Sequence, residues 1–148
     1  MTAGKMKSRA AEAGSLLILL VEDESIVREV TREVLERAGY RVLESGNAKE
    51  ALHLARKHAG QIDLLLTDVV MPEMNGVDLA TRLLEMQPGL ATVFMSGYAE
   101  GDVAQKIKRS SAMHIQKPFT VNALLSRVAE ALHEGPERWR EDTVSIAG

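Results

Sequence analysis

Short apolar segments alternate with longer amphipathic ones along most of the chain, and this alternation limits the folds that are available to it. The first and third apolar segments are hydrophobic nearly throughout, as strands buried on both faces of a sheet are. The second alternates between apolar and polar residues, which is typical of a strand near a sheet edge. The five predicted strands are LLILLV at 16–21, YRVLES at 40–45, IDLLLT at 62–67, ATVFMS at 91–96 and AMHIQ at 112–116.

The segments between and after these strands carry helical patterns. Residues 25–38 form the first predicted helix, with Gly39 as a natural stop. Its apolar residues lie three and four positions apart, at Val27, Val30, Val34 and Ala38. Asn47 and Glu50 have the spacing of a capping box at the start of a helix that reaches about residue 58. Three further helices are predicted at 76–87, 101–109 and 120–134.

Strict strand–helix alternation predicts a parallel sheet whose strands are joined by right-handed crossovers, with helices on both faces. We expect a flavodoxin-like, doubly wound α/β fold with five parallel strands in the order 2-1-3-4-5 and five helices. The domain is expected to cover residues 15–135, and 148 residues are enough for one such core. Residues 1–14 and 136–148 are expected to form a flexible N-terminal tail and a C-terminal tail.

Composition and charge argue against several classes of protein. A formal net charge of -3 does not favour direct binding to nucleic acid. The chain has no cysteine, which excludes disulfides and thiolate metal sites and is compatible with the cytoplasm, where we expect the protein to be. The apolar stretch after the N-terminal segment is too short for a signal peptide, and no stretch is long enough for a membrane span.

Polar side chains follow four of the five predicted strands at the point where each strand ends. In open parallel α/β sheets, ligands bind beyond the carboxyl ends of the strands, at a topological switch point. If the first strand lies beside the third, with the fourth and fifth beyond, these side chains converge on one crevice. They are Glu22, Asp23 and Glu24 after the first strand, Asp68 after the third, Ser96 at the end of the fourth and Lys117 after the fifth.

The chemistry of this set favours a hard cation and a phosphoryl group. Clustered carboxylates repel one another unless a cation relieves the repulsion, and ligands that are all oxygen favour Mg²⁺, or Mn²⁺ in its place. A carboxylate can attack phosphorus and become an aspartyl phosphate. The transferring group then needs a metal, an ammonium and hydrogen-bond donors around it. Asp68 is the candidate nucleophile, with Lys117 and Ser96 as the ammonium and the hydroxyl.

Four motifs, in this order and spacing, resemble the receiver domain of two-component response regulators. They are VEDE at 21–24, LLLTDVVMPEMNG at 64–76, FMSGYA at 94–99 and IQKPF at 115–119. The resemblance covers roughly residues 15–134, which is most of the chain. The last two motifs are also similar to receivers attached to hybrid sensor kinases.

The resemblance implies a metal site with a defined set of ligands. Asp23 would bind Mg²⁺ directly, whereas Glu22 would act through a water molecule. Asp68 would contribute a carboxylate oxygen, and the backbone carbonyl of Val70 would supply a further protein oxygen. Glu24 is left out of the site, because an acidic residue at the start of a helix is favoured by the helix dipole alone.

The resemblance also implies roles in phosphoryl transfer. Asp68 would accept the group from a histidine kinase or a histidine phosphotransfer protein. Lys117 would pair with Asp68 and then with the phosphate, and Ser96 would contact a phosphoryl oxygen and couple phosphorylation to loop movement. The Lys117–Pro118 bond would be cis.

One position departs from the family pattern. Receivers usually carry tyrosine or phenylalanine three residues before the lysine, where the ring rotates as a switch, and this chain has His114 there. Histidine is smaller and titrates near neutral pH. We expect Ser96 and His114 to form the switch, unless the coupling takes another route.

The expected function is a switch controlled by phosphorylation of Asp68, which shifts an existing equilibrium between two surface conformations. Such a domain would catalyse its own phosphorylation and dephosphorylation, but it would not be a dedicated enzyme. Its partners would be the phosphodonor and a downstream protein or attached kinase domains. Two alternatives stay open. One is a degenerate receiver that acts only as a docking module, and the other is an aspartyl-phosphate phosphohydrolase, although Val70 stands where such enzymes carry a second aspartate.

Overall fold

A five-stranded parallel sheet forms the centre of the fold, in the part of the chain that the computed structural model describes, residues 16–97 and 113–134. The strand order is β2-β1-β3-β4-β5, which confirms the predicted order and the doubly wound α/β fold. The strands are β1 (Leu17–Val21), β2 (Arg41–Ser45), β3 (Leu64–Asp68), β4 (Ala91–Ser96) and β5 (His114–Gln116).

Four helices accompany the sheet in the described residues, close to their predicted positions. They are α1 (Ser25–Arg37), α2 (Ala48–Lys57), α3 (Gly76–Met86) and α4 (Val121–Glu134). The predicted helix at 101–109 and the predicted tails at 1–14 and 136–148 lie outside the described residues. None of the four helices is both long enough and apolar enough to cross a membrane.

The starts of two helices are fixed by asparagine side chains. Asn47 accepts a hydrogen bond from the backbone N–H of Glu50 at 2.8 Å, and Asn75 accepts one from Asp78 at 2.8 Å. The Glu50 carboxylate in turn accepts a hydrogen bond from the N–H of Gly46 at 3.1 Å. In the predicted capping box, the donor to this carboxylate is the N–H of Asn47, one residue later. These bonds satisfy backbone donors that the first helical turn leaves free.

The core lies on both faces of the sheet. Alternate residues of β1 point to opposite sides, with Leu19 packed towards α2 and α3 and Ile18 packed towards α1 and α4. Both side chains are fully buried, as the continuous apolar run predicts. The buried side chains of α1 are Thr31 and Leu35, whereas Val30 of the predicted apolar stripe is 56% exposed.

Backbone hydrogen bonds continue past the last residues of the strands and align the carboxyl edge of the sheet. The N–H of Glu22 donates to the carbonyl of Ser45 at 3.1 Å, which ties the end of β1 to the end of β2. On the other side, the N–H of Lys117 donates to the carbonyl of Ser96 at 2.7 Å. The residues that follow β1 and β5 are therefore held at the same edge as Asp68, the last residue of β3.

Gly76 starts α3 directly against the backbone of the strand that precedes it. Its N–H donates to the carbonyl of Val69 at 2.7 Å, and a Cβ atom built on Gly76 would lie 2.0 Å from the carbonyl oxygen of Asp68. Glycine is required here because of this close approach. The left-handed conformation in the same loop belongs to Glu73, with φ of 74°.

Replacing Gly76 with alanine should destabilise the protein by at least about 2 kcal/mol, because the new methyl group meets backbone atoms that cannot rotate away. Gly89→Ala is the matched control, since a Cβ there has nothing within 4 Å, and we expect it to change stability by no more than about 0.5 kcal/mol. Urea unfolding monitored by circular dichroism measures both. Equal stability of the two variants would contradict the steric explanation.

Candidate functional site

A lysine ammonium lies between two carboxylates at the carboxyl edge of the sheet. Nζ of Lys117 is 2.7 Å from Oε1 of Glu22 and 2.7 Å from Oδ1 of Asp68. Glu22 is completely buried and Asp68 is 4% exposed, whereas the lysine side chain is 21% exposed. The three predicted groups therefore meet in one largely buried crevice, and Lys117 is the most exposed of the three.

Each of the three charged groups is positioned by the end of a different strand. Glu22 follows β1 directly, and its Oε2 accepts a hydrogen bond from the N–H of Glu24 at 3.1 Å. Asp68 is the last residue of β3, and Lys117 follows β5. The Lys117–Pro118 bond is cis, as the resemblance implied.

The pKa values of the two buried acids depend on burial and on the charged and hydrogen-bonding groups around them. Burial, together with the neighbouring Glu22, raises the pKa of Asp68 from its usual 3.8 to about 8, although Lys117 opposes the shift. Burial also disfavours the ionised form of Glu22, but hydrogen bonds from Asp68 and Lys117 outweigh it and lower the pKa of that carboxyl. Without a further cation, the protonated form of Asp68 is therefore favoured.

The two acids also stabilise the ammonium form of the lysine. Burial alone favours neutral Lys117, but its hydrogen bonds to Asp68 and Glu22 outweigh that effect and raise the pKa of the amine. The lysine therefore stays charged throughout the physiological range.

Asp23 completes a set of three carboxylates. One oxygen from each of Glu22, Asp23 and Asp68 lies within 4.8 Å of the other two, and Asp23 is the exposed member. Three acids face one ammonium, so the formal charges of these four groups leave an excess of negative charge. A set of oxygen ligands with this charge fits a hard divalent cation such as Mg²⁺. Val70 lies two residues after Asp68 with its side chain 64% exposed, and the role of its carbonyl stays a prediction.

The two residues predicted to form the switch lie on adjacent strands. Ser96 ends β4 and is half-buried, and its carbonyl accepts the hydrogen bond from Lys117. His114 begins β5 opposite Phe94, and its side chain is exposed. Its backbone carbonyl accepts a hydrogen bond from Nε of Arg127 at 3.1 Å. A switching role for either side chain stays a prediction.

Sequence reasoning missed two charged residues, Arg28 and Glu44, that lie beside the acids. Nη1 of Arg28 donates to the carbonyl oxygen of Glu22 at 2.8 Å, and its Nε lies 3.2 Å from Oε1 of Glu44. Glu44 was not assigned a role from the sequence. Two features of the sequence could have indicated the role of Glu44. It lies near the end of β2, next to the acidic end of β1, and a basic residue lies one turn into α1.

Comparison with known proteins places this site in a family. The sequence model described as response regulator receiver domain matches residues 18–129. The chain is 35% identical over 131 residues to the sensor kinase CckA of Brucella abortus (strain 2308), which covers 88% of this chain and 14% of that protein. It is 36% identical over 121 residues to the response regulator receiver protein CpdR of the same organism, covering 78% of this chain and 95% of CpdR.

One further relative and two solved structures are also similar to this chain. The transcriptional regulator NtrC of Bradyrhizobium sp. (strain RP501 Parasponia) is 36% identical, and the chain spans 26% of its length. The receiver domain of the hybrid histidine kinase CckA superposes with a TM-score of 0.67 at 36% identity, covering 78% of this chain and 98% of that one. A receiver domain protein from Clostridium thermocellum gives a TM-score of 0.72 at 26% identity, covering 80% and 95%. With the family match over most of its length and the charged crevice at its centre, the chain belongs to the response regulator receiver domains.

Proposed function

We propose that this domain accepts a phosphoryl group on Asp68 from a histidine kinase or a histidine phosphotransfer protein, and thereby switches a protein-binding surface. The observation that carries the proposal is the placement of Asp68 itself. It lies 2.7 Å from the ammonium of Lys117, in a crevice shared with Glu22 and Asp23. Membership of the receiver family supports a two-component setting for this chemistry.

The proposed reaction transfers the group directly from nitrogen to oxygen. A carboxylate oxygen of Asp68 forms a bond to phosphorus while the P–N bond to the donor histidine breaks, and the electron pair of that bond stays on the imidazole nitrogen. Negative charge on the phosphoryl oxygens is met by the ammonium of Lys117, with the hydroxyl of Ser96 as a further donor. Mg²⁺ held by Glu22, Asp23 and Asp68, with the carbonyl of Val70, would supply additional positive charge at these oxygens.

The protonation state of Asp68 controls whether it can act as a nucleophile. Its pKa of about 8 leaves the carboxyl mostly protonated at neutral pH when no further cation is near. Positive charge beside the carboxyl favours the ionised form, so binding of a divalent cation and activation of the nucleophile are coupled. Lys117 alone does not achieve this, because it is shared with Glu22.

The rest of the proposal concerns what the domain does with the phosphate. Ser96 is proposed to move towards the phosphoryl group, with His114 as the second member of the switch, and to bias two surface conformations. The domain catalyses its own phosphorylation and dephosphorylation without turning over an external substrate. Attached kinase domains or a downstream protein receive the signal, and a cytoplasmic location is part of the same proposal.

Both alternatives are less consistent with the site. A phosphohydrolase needs an acid/base group near the nucleophile, and the position two residues after Asp68 carries Val70 instead. A module that serves only for docking has no use for a buried ion pair between an acid and a lysine, which is costly to desolvate. The intact contacts of Lys117 with both acids therefore favour an active acceptor.

Incubation with phosphoramidate or acetyl phosphate and Mg²⁺ should add one phosphoryl group to the protein, detected by intact mass. Asp68→Asn should remain unlabelled, because an amide nitrogen does not replace the nucleophilic oxygen. Asp78→Asn, which neutralises an exposed aspartate at the start of α3, should label like the wild type. Chelation of Mg²⁺ with EDTA should suppress labelling of the wild type.

Three results would count against the proposal. Equal labelling of Asp68→Asn would identify a different acceptor. A folded wild type that forms no adduct would favour the docking module. Sustained turnover of a small phosphoester would favour the phosphohydrolase.

The metal-free wild type should lose stability relative to Asp68→Asn as the pH rises from about 5 to about 8. Folded Asp68 has a pKa of about 8 instead of 3.8, so the folded chain keeps a proton that the unfolded chain releases, and this stabilisation is lost across the window. The slope is at most about 1.4 kcal/mol per pH unit. Glu22 and Lys117 titrate outside the window, because their pKa values are shifted below 4.5 and above 10.5.

Urea unfolding in EDTA at several pH values measures this difference, and Asp78→Asn should run parallel to the wild type. Near pH 8, Mg²⁺ at ten times its dissociation constant should stabilise the wild type by about 1.4 kcal/mol. The same concentration should stabilise Asp68→Asn less, because one carboxylate ligand is gone. Parallel pH curves for wild type and Asp68→Asn would show that the carboxyl is not protonated in the folded protein.

A further inference from the structure

A guanidinium group holds the peptide bond that joins the two acids at the end of β1. Arg28, near the start of α1, donates from Nη1 to the carbonyl oxygen of Glu22 at 2.8 Å. This carbonyl belongs to the planar peptide between Glu22 and Asp23, so its orientation sets the direction in which the chain enters Asp23. We propose that Arg28 is a positioning residue that fixes the geometry of these two acids and so sets the affinity of the domain for Mg²⁺.

The contact of Arg28 fixes a part of the chain that other contacts leave open. The N–H of Glu22 is bound by the carbonyl of Ser45, and its side chain is bound by Lys117 and by the N–H of Glu24. Within the described residues, the carbonyl of Glu22 is held by Arg28. The role assigned to Arg28 rests on the Mg²⁺-dependent function proposed above.

Asp23 depends on its backbone more than the other two acids do. Its side chain is exposed, and no hydrogen bond or ion pair among residues 16–97 and 113–134 holds it. Glu22 and Asp68, in contrast, are buried and paired with Lys117. A change in the orientation of the Glu22–Asp23 peptide therefore displaces Asp23 first, and a metal site that loses the alignment of one carboxylate loses affinity.

The guanidinium is itself held from a second side. Nε of Arg28 lies 3.2 Å from Oε1 of Glu44, and Nε of Arg32 lies 2.9 Å from Oε2 of the same carboxylate. Glu44 is anchored near the end of β2, in register with Leu20 of β1. The planar guanidinium of Arg28 thus connects the carboxylate of Glu44 on β2 to the carbonyl of Glu22, which follows β1. A lysine ammonium does not reproduce this fixed two-point geometry.

The charge of Arg28 and its contact with the Glu22 carbonyl have opposite expected effects on the affinity for Mg²⁺. An experiment can therefore tell the two apart. A positive charge near the acids repels a cation, so removal of the charge of Arg28 should by itself strengthen binding. Loss of the contact with the Glu22 carbonyl should weaken binding. The direction of the change therefore separates a positioning role from a purely electrostatic one.

The experiment is calorimetric titration of the unphosphorylated full chain with MgCl₂. Arg28→Gln should weaken Mg²⁺ binding about tenfold, which is the lower end of the range for loss of a residue that orients a metal ligand. The affinity of Arg28→Lys should lie between those of Arg28→Gln and the wild type. Arg32→Gln is the matched control, because it removes the same charge and a contact with Glu44 but no contact with Glu22. We expect its affinity to stay within about twofold of the wild type, as for other exposed ion pairs.

Phosphoramidate labelling supplies a second readout. Arg28→Gln should raise the Mg²⁺ concentration for half-maximal labelling while the rate at saturating Mg²⁺ stays near that of the wild type. A loss of folded protein alone would instead lower the amount of labelled chain at every Mg²⁺ concentration.

Affinity of Arg28→Gln equal to or tighter than that of the wild type would overturn the positioning role and leave the proposed function intact. Equal weakening in Arg32→Gln would also overturn it, because the Glu22 carbonyl would not be the cause. A folded wild type that neither binds Mg²⁺ nor forms an adduct would overturn both proposals. If Arg28→Gln does not unfold cooperatively, the Mg²⁺ affinities of Arg28→Lys and Arg32→Lys are compared instead. Weaker binding by Arg28→Lys supports the positioning role of Arg28, and equal binding overturns it.

Discussion

The structure of the site depends on one ammonium group shared by two buried carboxylates. Each member of this triad comes from a different strand, so Lys117 can reach Glu22 and Asp68 only when β1, β3 and β5 end at the same edge of the sheet. Loss of the Lys117 ammonium would leave the buried acids without their cation, at a cost of roughly 3–5 kcal/mol. The parallel topology and the chemistry of the crevice are therefore linked by electrostatics, not only by shared position.

The side chains of this site belong to the receiver fold alone. All of them lie between residues 22 and 117, inside the region that matches the family. The chain spans 95% of the receiver protein CpdR but 14% of the sensor kinase CckA, so related domains occur both as nearly a whole protein and as a small part of one. The side chains to which we assign the acceptor chemistry all come from strand ends within this one domain.

The strands and the polar residues at their ends could be predicted because burial on both faces produces continuous apolar runs, and polar residues that interrupt those runs mark the edge. These runs do not by themselves encode the strand order, so the convergence of the triad was conditional on the first strand lying beside the third. The buried face of α1 was predicted less well. Spacing placed Val30 on it, whereas the structure buries Thr31, whose hydroxyl is satisfied by the carbonyl of Val27 at 2.7 Å. The contact of Arg28 with the Glu22 carbonyl depends on how far a long side chain reaches between elements, which spacing does not encode.

The absence of a side chain at Gly76 allows the first turn of α3 to pack directly on the main chain of Asp68. No free space is left between the backbone of Asp68 and the start of α3. If Asp68 is phosphorylated as proposed above, its backbone has no free space into which it could move towards α3. Any displacement that the added group requires then has to occur elsewhere than at the start of this helix.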